Sequence, residues 1–467
     1  MLLVRTVRAG ITGGPVNIMG VQEVVNGLWG RLRVAMRHDW QDRVTQDSAV
    51  VLTGQIFSMG LGIISSAVLA RGLGPEGLSA FALVGAATSI VSTTSDFGMR
   101  LSAIRHIAPA LAMRKQQAYA FAAAYGRLKL LSSFGITIIL LLVADPLAGL
   151  IQLPAQTGAM LLRVGAVAML ATMLSGMVAT VLHALGRFRR LILAQSVNVA
   201  LTVALMSLLW IAGRLDVKMA LVVGGITAAV AGLLSVALVP NDWRRALGSR
   251  GLRGKWLNGQ SLGGDESRQL LSFSRWMWAS NIFSIIAVQI DILLLNYFLP
   301  LPVVGVYVLS RNLAQKASAV NLSIHTVLVP TVSRLGEAGG RRAYVRRSLA
   351  RSLLLAGAIL LVAPLARPFI LLVYGEEYAS SINFFYALLI VVLFDLMLSP
   401  LILLALPLDR PRLLALAEGA QAIVLLVVGV AFVPRLGVYG IVAAKLAAQL
   451  VMALVALPPL LRTVRQG

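Results

Sequence analysis

The residues able to do chemistry in this chain are isolated charges set inside apolar runs. One run carries Ser89, Thr93, Asp96 and Arg100 at i, i+4, i+7 and i+11, one face of a helix. Another carries Arg311, Gln315 and Ser318 on one stripe, with Asn312, Lys316 and Asn321 beside it and His325 further along. A third holds Asn281, Ser284 and Asp291 at i, i+3 and i+10. Asp395, Glu418 and Lys445 sit singly in later runs. Charge at such depth is costly and marks a candidate path or binding face. Cations there can hold an anion, and carboxylates can hold those cations in place or carry a coupled proton or sodium ion.

Other chemistries lack their residues. The chain has no cysteine, so disulfides and thiolate sites are excluded. His38, His106, His183 and His325 are scattered and form no ligand cluster. Neither a phosphate-binding Gly-rich loop with Lys-Ser/Thr nor an HExxH helix occurs. No catalyst or cofactor is expected.

The elements that must position these charges follow from composition. Of 467 residues, 58% are hydrophobic and only 13% charged, and the mean hydropathy is +0.85. A soluble domain carries about twice that share of charge. Twelve apolar runs follow residue 48, starting at 49–70 and 78–99 and ending at 413–433 and 437–460. Each is long enough to span a bilayer as a helix.

The net charge of +23 suggests nucleic acid until the cations are placed. Thirty-two Lys and Arg fall in the N-terminal segment, in alternate connections and at the C-terminus, and five (Arg71, Arg214, Lys218, Arg367, Arg435) fall on the opposite side. This asymmetry puts both termini in the cytoplasm and leaves no need for a nucleic-acid partner. The N-terminal segment 1–48 is basic and shows no cleavable signal; Val24 to Trp40 suits a short amphipathic surface helix or a basic tail.

The longest cytoplasmic connection, 241–275, is rich in Gly, Ser and charge, and divides the chain into a first half (49–240) and a second (276–461), followed by a short C-terminus (462–467). The halves echo each other. LARGLGPEGLSAFAL (69–83) pairs with LNYFLPLPVVGVYVL (295–309), and LHALGRFRRL (182–191) with LALPLDRPRLL (404–414), at offsets of about 220–227 residues. This predicts an all-α polytopic protein of two six-helix lobes in the same orientation, with a substrate path between them.

The run 51–98 resembles the opening of polysaccharide-unit flippases, with an apolar helix, an Arg-x-Leu-Gly-Pro-x-x-Gly turn (Arg71 to Gly77) and a helix ending in Asp96-Phe97-Gly98. Residues 289–315 are similar to the seventh and eighth helices of that family, with Asp291 near the end of one and Gly305-x-Tyr307 starting the next. Leu299 to Pro302 departs from the family's more common Gly-Pro turn. The resemblance implies the multidrug/oligosaccharidyl-lipid/polysaccharide exporter fold, two lobes forming a V with alternating access. It implies an undecaprenyl-pyrophosphate-linked oligosaccharide as substrate, membrane lipids around it, a bacterial inner-membrane location, and a polymerase and chain-length regulator as partners. Arg311, Lys316 and Lys445, with Arg100 and Arg71 nearer the two mouths, are then candidates for binding the pyrophosphate. Asp96, Asp291 and Asp395 are candidate pairing or coupling acids, and Ser89, Thr93, Asn281, Asn312 and Gln315 a polar cavity face. The rivals are a lipid II-type flippase, which usually has two further helices, a cation-coupled multidrug antiporter, which would want an acidic cavity, and a membrane scaffold.

Overall fold

The computed structural model describes residues 43–113, 115–247, 265–316, 338–402 and 411–466. Two compact units divide the chain, Met1–Thr53 and Gly54–Gly467. Of the first, only the helical start from Arg43 is described; the surface-helix expectation for Val24–Trp40 lies outside the described residues. All that follows concerns the second unit.

Every described element is helical. The elements are α1 (Arg43–Thr94), α2 (Met99–Met113), α3 (Lys115–Leu142), α4 (Ala144–Leu150), α5 (Gly158–Ala184), α6 (Phe188–Ile211), α7 (Val217–Leu238) and α8 (Asn241–Leu247), then α9 (Asp265–Phe298) and α10 (301–316), and finally α11 (Ala338–Val362), α12 (Ala366–Tyr374), α13 (Ser381–Ile402), α14 (Pro411–Leu436) and α15 (Val438–Gln466). Among the described residues, ten helical stretches are long and apolar enough to cross a membrane. One of them, Thr53–Thr94, has 42 residues, about twice the length of a span. It breaks at Gly74 (φ 65°, ψ 177°), a conformation that only glycine adopts readily. Pro75 then opens the next helix, where its missing N–H costs nothing. The expected run 303–329 begins in α10, and its remainder lies outside the described residues. With α1 counted as two, the described residues hold eleven of the expected twelve spans, and α10 begins the twelfth.

The helices pack mainly within their own half. In the first, α5 lies against α7 and α3, and α6 against α7; in the second, α15 lies against α14 and α13, and α14 against α9. Helix α9 also packs on α2 and α3 of the first half. The main core holds Leu83, Val84, Leu162, Leu295, Tyr307, Ile370 and Ile441, all essentially without exposure.

Between Thr94 and Met99 the chain turns through Phe97 (φ 47°) and Gly98 (φ 67°), so the Asp-Phe-Gly sequence does end the helix. By the charge asymmetry, the six cations from Arg100 to Lys129 count as one basic connection on the side of the termini. This segment folds as α2 and the start of α3. Met99, Ala103 and Ile107 are buried on one side of α2 against Phe121, Ala122 and Tyr125 of α3. Residues of this spacing bury themselves although charged residues lie between them.

Candidate functional site

A cavity of about 880 Å³ is lined mainly by the first half. It runs from Arg100, Leu101 and Ile104 of α2 to Ala220, Leu221 and Gly224 in the first turns of α7. Helices α1, α3, α5, α6 and Asn281 of α9 supply the remaining wall. Its polar lining is dense for a membrane interior: Thr88, Ser89, Ser92, Thr93, Thr172 and Thr180 bring hydroxyls, Gln195 and Asn281 amides, and His183 an imidazole. Several of these hydroxyls are satisfied by carbonyls one turn back, as in Thr88 to Val84 (2.8 Å) and Thr180 to Gly176 (2.8 Å). Such bonds leave the oxygen lone pairs free to accept from a guest.

The charges of this cavity are Asp96, Arg100 and Lys129. Asp96 accepts a short hydrogen bond from Lys129, and the Arg100 backbone N–H lies 3.4 Å from its other oxygen. The guanidinium of Arg100 is exposed. Of the five cations the sequence proposed for substrate binding, Arg100 alone lines this cavity; Ser89, Thr93, Asn281 and Asp96 line it too. Sequence reading placed Lys129 among the loop cations. In the structure α3 begins at Lys115 and holds Lys129 midway.

Arg311, Lys445 and Asp291 come together elsewhere. Asp291 is wholly buried. Lys445 Nζ lies 2.7 Å from its Oδ2, and Arg311 Nε 3.3 Å from the same atom. Tyr307 donates its hydroxyl to Oδ2 at 2.6 Å, and the Ile292 N–H donates to Oδ1 at 2.8 Å. Arg311 also donates to the Val288 carbonyl (2.6 Å) and to Gln289 Oε1 (3.2 Å). Two cations thus share one carboxylate, and three helices (α9, α10 and α15) are tied at that point. A carboxylate so paired offsets part of the cost of burying two cations.

The other proposed residues separate. Lys316 lies against α1, its Nζ 2.9 Å from where a Cβ on Gly62 would sit. Asn312 is half-buried and Gln315 exposed on α10. Asp395 makes no hydrogen bond or ion pair with any described residue. Arg71 donates from Nε to the Val373 carbonyl (2.9 Å) and from Nη2 to the Leu372 carbonyl (2.6 Å). An acid the sequence left without a role, Glu418, accepts from Ser280 at 2.5 Å and ties α14 to α9.

The fold is a bundle of membrane-length helices with a polar, charged cavity, and solved membrane proteins share it. An inward-facing multidrug resistance MATE family transporter is 18% identical over 90% of this chain and 98% of its own, with a TM-score of 0.69. The lipid II flippase MurJ in an inward closed conformation is 13% identical over 89% of this chain and 87% of its own, with a TM-score of 0.67. An outward-facing MATE family transporter gives 0.63 at 16% identity, over 90% of this chain and 94% of its own. No curated protein matches the chain. Residues 44–336, more than half of the chain, match the polysaccharide biosynthesis protein family, and the chain belongs to it.

Proposed function

We propose that this protein flips an undecaprenyl-pyrophosphate-linked oligosaccharide from the cytoplasmic to the periplasmic leaflet of a bacterial inner membrane, by alternating access. The observation that carries this reading is the cavity of about 880 Å³ lined by hydroxyls, amides and a net positive set of charges, in a chain of the polysaccharide biosynthesis family. Hydroxyls and amides suit sugars, and the exposed Arg100 suits a pyrophosphate, because a guanidinium forks onto two anionic oxygens. The polyprenyl tail stays in the bilayer while the head crosses. With both termini in the cytoplasm, Arg100 stands at the cytoplasmic mouth, where the substrate loads. Asp96 and Asp291 already hold cations, so we assign any coupled proton or sodium ion to Asp395. A polymerase and a chain-length regulator are the partners this role calls for.

The test is reconstitution in liposomes with a labelled polyprenyl-pyrophosphate oligosaccharide, scored for arrival in the opposite leaflet. Movement above protein-free vesicles, lost in Arg100→Gln, supports the reading. Absence of movement with several glycans, in protein shown to be folded, sinks it.

A further inference from the structure

Hydrogen bonds between the two halves gather at one end of the bundle. Arg71 donates to the Leu372 and Val373 carbonyls, Ser66 shares a hydrogen bond with the Tyr374 hydroxyl at 2.8 Å, and Tyr378 donates to the Ala70 carbonyl at 3.0 Å. Asn296 donates to the Ile151 carbonyl at 2.7 Å. All but Ser66, which sits about two turns before Gly74 in α1, lie where the chain turns between helices on the side of Gly74. At the opposite end, among the described residues, Trp278 donates to the Thr94 carbonyl at 2.7 Å and stacks on Phe97.

The Arg71 contact has a specific physical basis. Leu372 and Val373 are in the last turn of α12, where carbonyls have no partner within the helix. The helix C-terminus also carries partial negative charge, which a guanidinium complements. Arg71 therefore caps a helix of the opposite half. Beside it the backbones touch: a Cβ added to Gly305 would overlap the carbonyl oxygen of Pro75. Only a residue without a side chain lets α10 approach the Gly74-Pro75 turn so closely.

We infer that Arg71, with Ser66, Tyr374 and Tyr378, forms a latch that holds the Gly74 end of the transport path shut, and that Gly305 is its seat. Arg71 is thereby a gating residue and not a substrate ligand. This rests on the alternating-access reading above, but not on the identity of the substrate. Opening this end must break the whole set, which makes the latch cooperative. It must also release the α12 carbonyls to water.

The absence of cysteine makes the full chain ready for paired spin labels. Glu76→Cys and Pro302→Cys, both at exposed positions flanking the contact, are labelled in lipid nanodiscs and their separation is read by double electron–electron resonance. The parent pair is expected to give mainly a short distance. Arg71→Gln should move the closed-to-open ratio about tenfold toward the longer distance, the effect of losing a hydrogen bond to a charged group. Gly305→Ala should shift it the same way by clash alone, and Tyr378→Phe by a smaller factor. An Arg71→Gln distribution equal to the parent's overturns the latch. If Arg71→Gln fails to reach the membrane, unchanged distances in both Gly305→Ala and Tyr378→Phe overturn it. Distances that shift in a protein that moves no glycan leave the latch standing and remove only the substrate reading.

Discussion

The Lys445 ammonium lies 2.7 Å from the carboxylate of Asp291, which has no exposed surface and which Arg311 also approaches to 3.3 Å. One acid therefore anchors two cations inside the second half, and the three side chains are unequal in what their loss would cost.

Removing Asp291 strands both cations, whereas removing Lys445 leaves Arg311 and Asp291 as a matched pair. Asp291→Asn is expected to destabilise the protein by about 3–5 kcal/mol, the cost of breaking a buried pair, and Lys445→Met by less than half of that. Unfolding in mild detergent measures both. Equal losses would show that the cluster does not work through its carboxylate.

The Asp96–Lys129 pair in the first half is coupled in the same sense. Lys129→Met should lower the folded yield, and adding Asp96→Asn should restore much of it. A double-mutant cycle on thermal unfolding is expected to return a coupling energy of about 1–3 kcal/mol. Additive losses would mean that the two groups act separately.

Arg100 is exposed and lines the cavity, and its guanidinium makes no hydrogen bond or ion pair with a described residue. Arg100→Gln should leave the unfolding temperature unchanged while reducing glycan translocation by about 10- to 100-fold, the value of a charged hydrogen bond felt during transport. Wild-type translocation rates by the variant would remove Arg100 from the substrate path.

Tyr378 lies outside the apolar spans, and burial, with Glu377 beside it, pushes its phenol above the usual range. The neutral form donates to the Ala70 carbonyl. A raised value means that this contribution is complete below the ordinary tyrosine range and lost only as pH rises through the shifted value. The closed fraction seen by spin labels should therefore stay flat between about pH 6 and 9. Opening of the Gly74 end within that window would show that another group governs it.

Much of the framework was legible in the sequence because each signal was local. Apolar runs of span length became the helices, Gly74-Pro75 became the break in α1, and Asp96-Phe97-Gly98 became a left-handed turn. The site was legible in part. Ser89, Thr93, Asp96 and Arg100 share a helical face and do line one cavity. Lys129 was hidden because the charged start of α3 resembles a loop until the neighbouring helices cover it. The destinations of Arg71, Arg311 and Lys445 were hidden for another reason: each depends on a partner 20 to 302 residues away.

The sequence by itself determined that this chain is a bundle of membrane-crossing helices, because bilayer thickness and backbone hydrogen bonding allow an apolar run of that length little else. It also determined which residues bear charge inside those helices. Tertiary structure alone decided how those charges are used. Asp291 pairs with Arg311 and Lys445, Asp96 with Lys129, and Arg71 with the α12 carbonyls, while Arg100 lines the cavity. A buried charge goes to the nearest opposite charge or open carbonyl, and nearness between helices far apart in the chain is fixed only once they pack.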